Sequence, residues 1–198
     1  MALIIGLEIG TLASLYLWFI YQKAPERWLK MDACLYKKMW MYSMMVGGYI
    51  GLFLSHWFWY GQLACGILGA YLLVASIQDL HTCQVYDFLH IPAAIVGFCF
   101  VLAEPSWGRT GSLVFYFLIQ LGVFMRMYGE ADGMVFMVCA IFETRFGKGI
   151  LTYLYHMGTA FLLLGAVQGY KRNINKRGNL KEPVPFVPYI AVTVWLFL

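Results

Sequence analysis

Residues 78–92 read QDLHTCQVYDFLHIP and lie between two long apolar runs. The stretch contains Asp79 and Asp87, two of the four aspartates in the chain. An ionisable side chain next to a hydrocarbon-spanning segment is costly and usually marks function. This acidic stretch therefore indicates a functional site at the place where hydrocarbon gives way to water.

The composition is that of an integral membrane protein. Of the 198 residues, 62% are hydrophobic and 12% are charged, whereas about 25% are charged in a typical soluble domain. The net charge of +4 reflects basic loops between apolar runs and does not indicate nucleic-acid binding. The five cysteines form no C-x-x-C pair, and the four histidines do not recur at metal-ligand spacing. We therefore expect no metal and no cofactor, and we expect the histidines at helix ends or at the membrane interface.

Eight apolar runs predict an all-α, polytopic membrane helix bundle with about eight transmembrane segments. The runs cover residues 2–21, 39–60, 62–78, 85–103, 110–127, 133–142, 149–170 and 184–198. A helix needs about 20 apolar residues to cross the hydrocarbon core, so the sixth run is too short to span alone and is expected to be a tilted or partly buried helix. The last run is also short. We divide the chain into an N-terminal helical pair with a short basic loop, residues 1–61, and a six-helix core, residues 62–198.

The basic residues are distributed unevenly between the two sides of such a bundle. With eight crossings, eleven of the fourteen fall on one side and three on the other. The larger group is Lys23, Arg27, Lys30, Lys37, Lys38, Arg126, Lys171, Arg172, Lys176, Arg177 and Lys181; the smaller is Arg109, Arg145 and Lys148. Because cytoplasmic loops carry the excess of Lys and Arg, the larger group marks the cytoplasmic side. The same count places Asp79, Asp87, Glu130 and Asp132 at the cytoplasmic edge.

Two of these four carboxylates could form a catalytic pair. Two carboxylates a few ångströms apart cannot both ionise cheaply, so one keeps a proton while the other polarises a water molecule for attack on a carbonyl. Such a pair titrates as a unit. A single Asp at a helix end more often caps the helix or pairs with a basic residue, which is the structural alternative for each acid taken alone.

Three segments resemble the signatures of the type IV prepilin peptidase family. Residues 79–92 are similar to the first signature, an Asp followed six to eight residues later by Ile-Pro-Asn and then by an apolar residue and Pro. Residues 129–132, GEAD, resemble the second signature, Gly-x-Gly-Asp. Residues 185–189, PFVPY, are similar to a third, Pro-Phe-Gly-Pro-Phe. The resemblance covers about residues 62–198.

The chain departs from these signatures at three positions. Tyr86 stands where the first signature has proline, Ala131 where the second has its second glycine, and Met134 where the family often has lysine. The sequence leaves open whether these departures slow the chemistry.

The resemblance implies a membrane aspartic endopeptidase in which Asp79 and Asp132 share the proton and the water. Roles in contacting substrate or supporting the pair fall on Asp87, Gly129, Glu130 and Pro188. The implied substrate is a prepilin-like protein, cut between its basic leader and its apolar helix at the cytoplasmic membrane face. The partners are then this substrate and the lipid bilayer, and no nucleic acid.

Family members that also methylate the new N-terminus carry an insertion with paired C-x-x-C motifs. The loop from Gln22 to Lys37 contains only Cys34. We therefore expect peptidase activity without methyltransferase activity.

Three alternatives stay open. Tyr86-Asp87 together with residues 129–132 also resembles the Tyr-Asp and Gly-x-Gly-Asp motifs of presenilin-like proteases, which would make Asp87 the first catalytic residue in place of Asp79. The same fold could serve a non-catalytic membrane protein, either a transporter coupled to protons or cations or a pilus or secretion assembly factor. The glycines of residues 47–51 suit either close packing within the chain or contact between two copies in a homo-oligomer.

Overall fold

A computed structural model of the chain describes residues 2–23, 33–53, 59–175 and 183–198. These residues form helices joined by short connections, and no strand occurs among them. The predicted all-α membrane helix fold is confirmed. Several basic residues of the charge count lie outside the described residues, namely Arg27, Lys30, Lys176, Arg177 and Lys181.

The helices follow the predicted apolar runs with shifts at several ends. In chain order they are α1 (Ala2–Lys23), α2 (Ala33–Phe53), α3 (Trp59–Thr82), α4 (Asp87–Ala103), α5 (Trp107–Ile119), α6 (Met125–Tyr128), α7 (Glu130–Arg145), α8 (Ile150–Asn175) and α9 (Val187–Thr193). A π-helical turn, Gln120–Phe124, joins α5 to α6, and a 3₁₀ turn, Val194–Leu196, follows α9. Because backbone hydrogen bonding does not stop at the first polar side chain, α3 continues past the predicted end at Gln78 to Thr82.

Four helical stretches within the described residues are long and apolar enough to cross a membrane. They are Leu3–Ile20, Gly61–Thr82, Trp107–Tyr128 and Ile150–Lys171. Asp87–Ala103 and Val187–Leu196 are shorter apolar helices. The protein is therefore a membrane protein. The run expected at 184–198 contains a short helix, α9, whereas the run expected at 133–142 belongs to the 16-residue helix α7.

The chain divides into two compact units, Met1–Ile77 and Gln78–Leu198. The boundary falls inside α3, so the first unit holds α1, α2 and most of α3. The second unit holds the end of α3 and the helices from α4 to α9, and it contains every predicted site residue. The predicted division at residue 61 into a helical pair and a peptidase core stays a prediction.

In the first unit, α1 packs closely against α2. The buried residues of α1 recur at helical spacing: Ile5, Ile9, Ala13, Leu17 and Ile20. Gly6 lies so near α2 that an added Cβ would meet Met44 Sδ at 2.8 Å, and the ring of Trp40 covers Gly10 in the same way. Small residues allow such close approach between helices in a membrane.

In the second unit, α7 is the central helix. Its residues from Val135 to Thr144 are buried except for Met137, which is partly buried. A helix that is apolar on all sides is expected to be surrounded by others. Gly97 of α4 faces Ile141 and Phe142 of α7, and Leu113, Tyr116 and Tyr153 pack from α5 and α8 against Ala140 and Ile141. This central position carries Asp132, in the first turn of α7, into the unit.

The smaller basic group lies where α7 ends. Arg145 binds Glu104 through two hydrogen bonds of 2.6 and 2.9 Å. Arg109 lies beside Gly147, where an added Cβ would be 3.7 Å from its guanidinium. Since α7 begins near Asp132 and ends at Arg145, these residues and Asp132 lie at opposite ends of the helix.

Candidate active site

Asp79 lies in the last turn of α3 and is buried, with 5% of its surface exposed. Its carboxylate oxygen Oδ2 accepts a hydrogen bond of 2.9 Å from the backbone N–H of Val187. Asp79 therefore does not act as the helix cap that a lone aspartate at a helix end would suggest; it holds the start of α9, 108 residues away along the chain.

The segment that reaches Asp79 is the predicted third signature. Phe186 and Val187 are buried, Val187 is the first residue of α9, and Pro188 lies in its first turn. The first N–H groups of a helix have no partner within the helix, and proline, which lacks an N–H, fits this turn without loss. One of these free N–H groups, that of Val187, therefore donates to the Asp79 carboxylate.

Asp132 is held at the other side of the site by a backbone bend. Gly129, which separates α6 from α7, has φ 127° and ψ 150°, a conformation that only glycine adopts readily. An added Cβ at Gly129 would lie 3.7 Å from Asp132 Oδ2, so the bend sits directly against the carboxyl group. The glycine of the second signature thus sets where α7 starts and where Asp132 lies.

The two aspartates interact through their charges. Burial, and after it the negative charge of Asp79, raise the pKa of Asp132 to about 7. Near neutral pH, Asp132 is therefore close to half protonated, as expected of a carboxyl group in a shared-proton pair. Within the described part of the chain, neither aspartate forms an ion pair with Lys or Arg.

Asp87 and Glu130 occupy different surroundings from the pair. Each is exposed and is the first residue of its helix, α4 and α7 respectively. A negative charge is favourable at a helix N-terminus. Stabilisation of the helix is therefore enough to explain an acidic residue at each of these two positions. The charge of Asp87 acts on His90, one turn along α4. The structure therefore brings together Asp79, Asp132, Gly129 and the start of α9 next to Pro188, and leaves Asp87 and Glu130 at the surface.

A polar cluster near Gly129 was not anticipated from the sequence. Gln120 is buried in the π-helical turn, its Nε2 donates to the Tyr116 hydroxyl over 2.5 Å, and its Oε1 accepts from the Tyr128 hydroxyl. π-Helical turns occur often at functional sites. The cluster anchors Tyr128, the residue before the Gly129 bend, to α5. A glutamine isolated in an apolar run is the signal that could have identified it.

The expectation that the histidines lie at helix ends or at the interface is wrong for His156. This residue is buried inside α8, and its Nδ1 lies 2.6 Å from Oε1 of the buried Glu143. A polar residue can be buried in this way because its partner is also polar. His90 is buried as well. Glu143 lies eleven residues after Asp132, about three helical turns, but nothing in the sequence identifies its histidine partner.

Over the residues that the structure describes, no group of three or more His, Cys, Asp and Glu side chains is arranged to hold a metal ion. The arrangement places a half-buried carboxyl group with a raised pKa within electrostatic reach of a second carboxylate, which a backbone N–H holds in place. Comparison of the chain with models of protein families, with curated proteins and with solved structures finds no match.

Proposed function

We propose that this chain is a membrane aspartic endopeptidase of the prepilin peptidase type, in which Asp79 and Asp132 activate a water molecule. The observation that carries the proposal is that two carboxylates 53 positions apart in the chain, one buried and one half-buried, lie near enough for the charge of Asp79 to add to burial in raising the pKa of Asp132 to about 7. An aspartate that only capped a helix would have no reason to lie near a second one at such a cost.

The two aspartates take different roles. Asp79 accepts the backbone N–H of Val187, and such a donor stabilises a carboxylate, so Asp79 is assigned as the base and Asp132 as the acid. Asp79 takes a proton from water while the water oxygen attacks the scissile carbonyl carbon, and Asp132 gives its proton to the carbonyl oxygen. The tetrahedral intermediate then breaks its C–N bond, and the amine leaves with the proton that Asp79 received. The remaining hydroxyl proton returns to Asp132.

A basic leader is the substrate feature that the surroundings of the pair favour. The exposed carboxylates of Asp87 and Glu130 begin α4 and α7, and the charge count assigns this end of the helices to the cytoplasm. A leader rich in Lys or Arg would be attracted to these acids while the apolar helix of the substrate stays in the bilayer. The proposed location is the cytoplasmic membrane with the site on the cytoplasmic side, and the proposed activity excludes N-methylation.

The test is removal of the leader from a co-expressed prepilin-like protein, followed by intact mass. Asp79→Asn and Asp132→Asn are expected to lower cleavage by at least about 100-fold, because each removes a member of the proton-sharing pair. Asp87→Asn is expected to keep kcat and to raise KM for a basic leader about two- to fivefold, as for other exposed charges.

Glu104→Gln is the matched control for these variants. It makes the same carboxyl-to-amide change at the opposite end of α7, where the pair with Arg145 is exposed on the Glu104 side, and should leave cleavage unchanged. Absence of cleavage by the wild-type chain across several leader types would overturn the peptidase. Loss of kcat with Asp87→Asn but not with Asp79→Asn would instead support the presenilin-like assignment.

One observation favours a second candidate, a proton-coupled transporter. Glu143 and His156 form an ionisable pair inside the apolar helices, and such pairs occur in proton pathways. The two aspartates lie at helix ends, which fits a transport pathway less well than a peptidase. Proton uptake into vesicles that contain the wild-type chain, abolished by Glu143→Gln, would support the transporter.

A further inference from the structure

Glu143 and His156 form a buried connection between three helices. Glu143 of α7 is fully buried, and its Oε1 lies 2.6 Å from Nδ1 of His156 in α8. Nε2 of His156 lies 3.2 Å from the backbone carbonyl oxygen of Ile190 in α9. Since a carbonyl can only accept, Nε2 carries a hydrogen, and the hydrogen on the other side is shared between Nδ1 and Glu143. The imidazole therefore links α7 to α9.

The helix that receives this bond is the one that contacts Asp79. α9 has seven residues; the N–H of Val187 at its start donates to Asp79, and the carbonyl of Ile190, one turn later, accepts from His156. A helix this short has little stability of its own, so its position depends on its contacts. The Phe186 ring, 4.6 Å from that of Phe161 between ring centres, supplies an apolar contact with α8, and His156 supplies the polar one.

The pair is too far from Asp132 to take part in the chemistry itself. Glu143 lies eleven residues after Asp132 on the same helix, about 16 Å along its axis. The ring of His156 is enclosed by those of Phe136 and Phe197, with centres 5.4 and 5.8 Å away. Among the described residues, the charge of Glu143 also acts on the ionisable side chains of Cys139, Tyr116 and Tyr153. The contacts that lead from the pair to Asp79 run through α9.

We propose that Glu143 and His156 are positioning residues that fix α9 so that the Val187 N–H meets the Asp79 carboxylate. The inference rests on the proposed function for its effect on catalysis, and on geometry alone for its effect on α9. Glu143 orients the imidazole through Nδ1, and the imidazole holds the Ile190 carbonyl through Nε2. A displacement of about 1 Å at a reacting group can lower a rate about 100-fold, so the loss of this link should lower kcat and leave KM largely unchanged.

The experiment measures hydrogen–deuterium exchange of the segment 183–198 and leader cleavage on the intact chain in lipid nanodiscs. His156→Phe keeps an aromatic ring between Phe136 and Phe197 but removes both hydrogen bonds. It should speed exchange at the amides of Val187, Tyr189 and Ile190 at least about tenfold and lower kcat by about 100-fold, with KM within about twofold. His156→Gln can still donate to the Ile190 carbonyl, so its exchange rate and kcat should be close to those of the wild type. Comparison of this variant with the wild type remains a test if His156→Phe fails to fold.

A conservative variant of Glu143 provides a second test of rescue, and a variant of Tyr153 provides the matched control for His156→Phe. Oε2 of Glu143 has no hydrogen-bond partner among the described residues, so Glu143→Gln can still bond Nδ1 and should restore most of what Glu143→Ala loses. Tyr153→Phe removes contacts with the Thr144 hydroxyl at 2.6 Å and the Lys148 carbonyl at 3.0 Å, near the facing ends of the same two helices. It removes a comparable amount of buried hydrogen bonding without touching α9, and exchange at 187–190 should stay at the wild-type rate.

The outcomes separate this inference from the peptidase itself. Wild-type exchange at 187–190 in His156→Phe overturns the positioning role, as does equally fast exchange in Tyr153→Phe, which would indicate general destabilisation. If the wild-type chain cleaves no leader and His156→Phe still speeds exchange at 187–190, the peptidase fails while the anchoring of α9 stands. If the wild-type chain cleaves and His156→Phe has a normal kcat, the positioning role in catalysis is wrong and the peptidase stands.

Discussion

Replacing Asp132 by asparagine should abolish the proposed peptidase activity and, at neutral to alkaline pH, make the protein more stable. Burial and the charge of Asp79 raise the pKa of Asp132 from an ordinary value of 3.8 to about 7. Between these two values the folded chain holds a proton that the unfolded chain has released. Because the unfolded state then binds fewer protons, the free energy of unfolding falls as pH rises from about 4 to about 7 and is level above that. An asparagine at this position does not titrate, so the fall in the free energy of unfolding with rising pH that Asp132 causes is absent from the variant.

The magnitude follows from the two pKa values. Their difference, at about 1.36 kcal/mol for each pH unit, corresponds to about 4 kcal/mol. Asp132 is partly exposed, and solvent screens part of the penalty, so about 2 kcal/mol is expected. For a chain of this size, about 1 kcal/mol shifts Tm by about 2–4 °C, which gives a shift of roughly 4–8 °C.

Tryptophan fluorescence during thermal unfolding in detergent, between pH 4 and pH 8, measures this directly. Titrating groups outside the Asp79–Asp132 pair are common to wild type and variant, so the difference between their Tm values isolates the pair. As pH rises from 4 to 8, the Tm of the variant relative to that of the wild type should increase by roughly 4–8 °C. Asp79→Asn, which removes the second cause of the shift and leaves burial, should keep part of the wild-type slope. Parallel Tm curves for wild type and Asp132→Asn would refute the reasoning.

Three further predictions concern catalysis and the backbone. Leader cleavage should fall about tenfold per pH unit above about pH 7, because Asp132 must hold its proton to act as the acid; a flat kcat between pH 7 and pH 9 would contradict this role. Gly129→Ala should lower the free energy of unfolding by about 1–3 kcal/mol and lower cleavage, because φ is 127° at this position. Gly108→Ala, at a helical position with open space around it, should instead raise the free energy of unfolding by up to about 1 kcal/mol. The Tm values of the two variants test this contrast. Cys83, just after α3, has φ 52°, a conformation that glycine adopts easily and β-branched residues resist. Cys83→Gly should therefore stabilise the fold and Cys83→Val should destabilise it, by about 1 kcal/mol each. Tm shifts of the same sign in both variants would exclude backbone strain as the cause.

Much of the fold could be predicted because a membrane constrains it strongly. Apolar runs of sufficient length must be helices there, and this alone located α4, α5 and α8. The start of α7 at Glu130 was not predicted: the apolar run was placed from residue 133, because Glu130 and Asp132 interrupt it, yet both belong to the helix. The extension of α3 past Asp79 was not predicted either, since helix ends depend on contacts such as the one with Val187 that arise only in the folded chain.

The pairing of buried polar groups could not be predicted. His156 and Glu143 lie 13 residues apart, on different helices, and their contact depends on how α7 and α8 pack. The side-chain pattern of each helix specifies which face is apolar, but α7 is buried on all sides and so has no such face. The same limit applies to Gln120 and Tyr128, which meet because a π-helical turn changes the register of the helix between them.

Two of the positions at which the chain differs from the prepilin peptidase signatures that it resembles, Ala131 and Tyr86, have a local structural basis. Ala131 lies within α7 and has an ordinary negative φ, since Cys83 is the one non-glycine with positive φ among the described residues. The conformation that needs glycine occurs at Gly129, which the chain retains. Within a helix, as at position 131, alanine is more favourable than glycine. Tyr86 has φ −70°, which proline could also adopt. Its N–H, however, donates to Gln78 Oε1 over 3.3 Å, a bond that proline cannot make. Tyrosine at this position therefore ties the start of α4 to the turn of α3 that carries Asp79, so the substitution supplies a local constraint of its own in place of the proline ring.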